Sequence, residues 1–127
     1  MATAGYSGTP LPKKLGIKPD SRLLVFGGPD GFLPGIERAA RGPADVIVSF
    51  HTERADLARR TPKLRALMDP AAGLWIAWPK KAAKVETDLT ENVVRDIALE
   101  NVLVDNKVCA IDDTWSGLRL VIRLVDR

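Results

Sequence analysis

Residues 15–31, LGIKPDSRLLVFGGPDG, decide the fold. A turn at Lys18-Pro19-Asp20-Ser21 feeds an apolar run at 23–26, which stops in Gly27-Gly28-Pro29-Asp30-Gly31. A buried strand ending in a glycine-rich bend is how nucleotide-binding α/β domains begin, because glycine lets the backbone turn sharply and approach a ligand closely. The bend does not spell G-x-G-x-x-G. Pro29 also removes a backbone N–H that could otherwise donate to a ligand.

Working outward, the same kind of strand recurs. Residues 22–26, 45–50 and 74–78 are continuously apolar rather than alternating, the mark of strands covered on both faces. Helical segments are predicted between them. A short one starts at Thr9-Pro10 and ends at Gly16, with proline at the first helical position. A second covers 34–41 and is closed by Gly42-Pro43. A third covers 53–68, capped by Thr52, interrupted by Pro62 and ended by Pro70. In a fourth, Asp88 and Glu91 have capping-box spacing, and Leu89, Val93, Val94 and Ile97 form the buried stripe. Strands at 107–111 and 118–125 close the chain through a hairpin-like loop at 112–117. The pattern predicts a small Rossmann-like α/β domain. It has a mostly parallel five-stranded sheet, helices on both faces and a C-terminal antiparallel hairpin. Residues 9–127 form this single domain, and residues 1–8 read as a flexible tail.

The chain has 127 residues, 46% of them hydrophobic, and a net charge of +3 with a pI near 9.2. That balance is mildly basic and is no nucleic-acid footprint by itself, so nucleic acid is the least favoured partner. One cysteine, Cys109, and one histidine, His51, are too few for a thiolate or multi-histidine metal site. No stretch has the features of a signal peptide or the ~20 apolar residues of a membrane span, which makes the cytoplasm the expected compartment.

In open α/β sheets ligands bind outside the carboxyl ends of the parallel strands. Here those ends deliver Gly27, Gly28 and Gly31, then Ser49, His51 and Thr52, then Trp78, Lys80 and Lys81. The last loop adds Asp112, Asp113 and Trp115. His51 and Asp112 are the candidate catalytic acid or base residues, His51 because its ordinary pKa lies near neutrality. Lys80 and Lys81 suit a small anionic ligand. Trp115 suits a flat one. The open edge of the first strand offers a surface for pairing with a second copy of the chain.

The run LGIKPDSRLLVFGG resembles the opening of class I S-adenosylmethionine-dependent methyltransferases. DVIVSF at 45–50 resembles their fourth strand, GLWIAWP at 73–79 their fifth, and the final hairpin their last two. The resemblance implies that fold, and methyl transfer is the alternative function it carries. The acidic residue usual near the end of their first strand is Val25 here, the middle glycine of their loop is Pro29, and residues 27–44 leave no room for their second and third strands. These departures speak against S-adenosylmethionine as cofactor, so a non-catalytic domain binding a small anion or a protein partner is the leading expectation. AGYSGTPLPKKLGIK at 4–18, WPKK at 78–81, TDLTENVVR at 87–95 and KVCAIDDTWSGLRLVIR at 107–123 also resemble a family of small bacterial proteins with no assigned activity.

Overall fold

The computed structural model describes residues 9–127. The expected tail at 1–8 lies outside the described residues. The elements are a four-residue helix α1 (Leu11–Lys14), β1 (Leu23–Phe26), β2 (Ala44–Phe50), α2 (Arg54–Ala66), β3 (Met68–Pro79), α3 (Glu91–Glu100), β4 (Val104–Ala110) and β5 (Trp115–Val121). One mixed sheet has the order β1-β2-β3-β5-β4. The first three strands are parallel, and β5 enters between β3 and β4, antiparallel to both.

The uniformly apolar strands do bury both faces. On one face Ile47, Leu74, Ile76, Trp78, Leu118 and Leu120 pack under Leu57 and Leu64 of α2 and Val94, Ile97 and Ala98 of α3. On the other, Val46, Val48, Phe50, Trp75 and Ala77 pack under Leu15, Phe32 and Leu33. Helices therefore do not cover the two faces alike. α2 and α3 back the first. α1 and the irregular segment 27–40 back the second, and the Trp75 indole N–H ties α1 to the sheet by donating to the Leu15 carbonyl at 3.1 Å.

The helix expected at 34–41 does not form. Leu33 and Gly35 have φ of 53° and 80°, left-handed values that break a right-handed helix. The Ala39 N–H donates to the Leu23 carbonyl at 2.7 Å. A backbone donor that the helix would have used internally thus satisfies part of the outer edge of β1.

Both helix starts differ from the sequence reading. Thr90, not Asp88, is the N-cap of α3, its hydroxyl accepting from the Val93 N–H at 3.2 Å. Asp88 instead accepts from the Arg54 N–H at 2.7 Å and so caps α2 from a distant part of the chain. Thr52 is not the cap of α2, whose N-cap position is Glu53. α2 passes through Pro62, which is exposed, so the carbonyl deprived of its partner faces water.

Candidate functional site

The parallel strands β1, β2 and β3 end on one edge, and the bend after β1 sits there. Gly27, Gly28 and Gly31 have φ of 71°, 91° and 75°, so all three use the left-handed region that glycine alone enters freely. At Gly28 a Cβ would lie 2.6 Å from two ring carbons of Phe50. The Phe50 ring therefore lies directly on the Gly28 backbone. The same ring meets Phe32 and Trp115 edge to face, each at 5.0 Å between centroids. Such pairs are favoured by the aromatic quadrupole. Trp115 thus packs against Phe50, which bridges three separate segments of chain. At Gly31 a Cβ would meet nothing within 4 Å, so this part of the bend is open.

Beside the bend, Ser49 on β2 and His51 just after its end lie on the face that α2 covers. The Ser49 hydroxyl lies 2.6 Å from His51 Nε2, and His51 Nδ1 lies 2.7 Å from Asp56 Oδ2 in the first turn of α2. Ser49 is fully buried and His51 is 4% exposed, whereas the Asp56 side chain is 31% exposed. Burial holds the His51 pKa below its ordinary value, against the opposing pull of the Asp56 carboxylate. The hydrogen bond from His51 holds Asp56 below the usual carboxylate range, with Arg59 and Arg60 adding to it. A neutral imidazole then donates from Nδ1 to Asp56 and accepts the Ser49 hydroxyl proton at Nε2. This is a serine–histidine–aspartate hydrogen-bond chain whose serine is fully buried.

The remaining predicted residues gather at the neighbouring corner. The Lys80 N–H donates to the Thr114 carbonyl at 2.8 Å, joining the lysine loop to the 112–115 loop. Lys81 is exposed at the start of a short 3-10 turn. Asp112 accepts from the Thr114 and Trp115 N–H groups at 2.8 and 2.7 Å, so its carboxylate builds the turn. Asp113 is exposed beside it. His51 and the glycine bend are thus linked through Phe50 to Trp115, whereas Asp112 is held in a separate hydrogen-bonded turn.

Asp56 escaped the sequence reading although a carboxylate at the first turn of the helix following His51 was the available signal. A cleft of about 730 Å³ was missed as well. It lies at the amino end of β1, lined by Ile17, Lys18, Arg22, Ile36 and Arg38, away from the strand ends where a ligand was expected. Among the described residues no three His, Cys, Asp or Glu side chains group as metal ligands, and no helix is long and apolar enough to cross a membrane.

No protein-family model and no curated protein matches the chain. Solved structures do. LepI in complex with S-adenosylmethionine superposes with a TM-score of 0.52 at 14% identity, over 89% of this chain and 39% of that one. The ribosomal protein L11 methylase of Lactobacillus delbrueckii subsp. bulgaricus gives 0.51 at 14%, over 82% and 59%. The magnesium protoporphyrin IX methyltransferase of Synechocystis PCC 6803 with bound S-adenosylhomocysteine gives 0.50 at 14%, over 65% and 46%. The chain spans between 39% and 59% of the length of these three. At such identities the likeness shows the fold, which is the Rossmann-like fold of class I methyltransferases. It also corrects the reading of the cofactor. Val25, Pro29 and the short 27–44 link do not set S-adenosylmethionine aside, because structures holding it or its demethylated product overlay this sheet.

Proposed function

We propose that this chain is a methyltransferase-type domain that binds S-adenosylmethionine at the carboxyl edge of β1 and β2. The observation that carries the reading is the fold, with its sheet β1-β2-β3-β5-β4 and β5 reversed, since 89% and 65% of the chain superpose on two cofactor-bound structures. The residues present fit such a ligand on one side of the bend. Phe50 takes the space over Gly28, but Gly31 is open and Asp30 beside it is exposed. Asp30 is a carboxylate suited to accept from ribose hydroxyls, and the open backbone at Gly31 permits close approach.

When bound, the cofactor supplies a methyl group on a sulfonium that a nucleophile can attack. The chain's own residues position and shield. Lys80 and Lys81 present cations beside the same edge and suit an anionic acceptor. The Phe32, Phe50 and Trp115 rings keep water from the base of the bend. His51 has both ring nitrogens engaged and Ser49 is fully buried, so the pair holds the end of β2 against α2 rather than meeting an acceptor.

Calorimetric titration with S-adenosylhomocysteine and thermal unfolding with S-adenosylmethionine test the proposal. A ligand at a hundred times its Kd adds about 2.7 kcal/mol to stability. Asp30→Ala is expected to weaken binding about tenfold and to leave the melting of the free protein unchanged, because Asp30 is exposed. Absence of both heat and thermal shift at millimolar cofactor would rule the function out.

A further inference from the structure

We propose that Lys13, Lys14, Lys107 and Arg119 form a docking surface for the phosphodiester backbone of a single-stranded nucleic acid. Two adjoining clefts, of about 280 and 470 Å³, lie where α1 crosses the β4–β5 side of the sheet, and both are walled by Lys13, Lys14 and Lys107. Arg119 lines the first and Cys109 the second. Among the described residues no carboxylate lines either one.

The cations are placed but not neutralised. Lys14 Nζ donates to the Ala110 carbonyl at 3.1 Å, and Lys107 Nζ to the Lys14 carbonyl at 3.3 Å. Neutral carbonyls fix the ammonium groups and leave their charge uncancelled. Arg119 is half-buried with its guanidinium over Gly73, where a Cβ would come within 2.5 Å of Nε. It makes no ion pair among the described residues, and Arg127 is the charge that acts on it. A half-buried guanidinium without a counter-charge is costly to hold, and an arriving anion offsets that cost. The net charge of +3 conceals this local concentration.

The form of the surface favours a chain over a small molecule. A small ligand needs a site that encloses most of its area. These clefts are open and continuous, and four like charges along them suit repeated phosphates. The surface lies away from the glycine bend, so it does not depend on the cofactor reading.

The test is fluorescence anisotropy of a labelled twelve-nucleotide single strand titrated with the full chain, without cofactor, between 50 and 200 mM salt. Three to four neutralised phosphates predict a log–log salt slope of roughly −2 to −3. Lys107→Gln and Arg119→Gln are each expected to reduce that slope by roughly 0.7. Lys63→Gln, exposed on α2 across the sheet, is expected to leave the slope in place. Lys13→Gln, also exposed, gives the same reading if the Arg119 variant does not fold. Three results would overturn the proposal: no binding at 50 mM salt, a slope indifferent to these substitutions, or competition by inorganic phosphate as effective as that by unlabelled strand.

Discussion

His51 is gripped from both sides by side chains that lie close in sequence, and its burial sets how the protein answers acid. Because its folded pKa is depressed, the unfolded chain binds more protons in the window just below pH 6.5. Stability is therefore complete above that value and falls as pH drops through the window. Asp56, also depressed, adds a second loss at lower pH. Urea unfolding between pH 8 and 5 checks this, and His51→Gln should flatten the upper part of the profile. Ser49→Ala strips Nε2 of its donor and should cost about 1–3 kcal/mol. The glycine bend offers a paired comparison. Gly31→Ala meets only the cost of a left-handed φ, about 1 kcal/mol. Gly28→Ala meets that cost and the Phe50 ring as well, and should lose roughly 1–3 kcal/mol more. Equal losses at the two positions would mean that Phe50 yields freely. The sequence placed His51 and the glycines at the carboxyl ends of β2 and β1, because apolar runs locate strand ends. It did not pair Phe50 with Gly28 or Trp115, since no local pattern encodes contacts between rings far apart in the chain.

The helices show where local rules hold and where distant partners replace them. Thr90 caps α3 through its own hydroxyl, and Thr90→Ala should cost about 1 kcal/mol by thermal unfolding. Asp88 caps a helix 34 positions earlier. Asp88→Ala should cost a similar amount, but Asp88→Asn should recover most of it, because asparagine also accepts from a backbone N–H. A capping box was legible at Asp88 and Glu91 as spacing, yet the spacing was satisfied by other partners once Thr90 took the cap. The segment 34–41 carried a helical pattern too weak to outlast Leu33 and Gly35 in left-handed conformations and the edge of β1 seeking donors. The identity of β1, β2 and β3 was legible because three apolar runs, each bounded by turn residues, leave few other readings. The closing hairpin was read at 107–111 and 118–125, whereas its strands begin earlier, at Val104 and Trp115, with β5 ending at Val121. The extent of β3 was not legible, since Pro70 hides a strand that starts at Met68.

At the scale of the molecule, the two faces of the sheet differ in kind. α2 and α3 cover one with regular hydrogen-bonded structure, and a loop with few backbone bonds of its own covers the other. Amide hydrogen exchange should follow that division. Residues 27–40 should exchange early, and the central strands β2 and β3 only near global unfolding. Uniform protection across both coverings would contradict it. Trp75 turns the loop-covered face into an optical reporter. Its indole is fully buried in a fixed, chiral setting, with the N–H committed to the Leu15 carbonyl. Undocking of α1 would free that indole while the far-ultraviolet signature of the strands persists. A near-ultraviolet dichroism band fading ahead of the backbone signal would then time the release of α1.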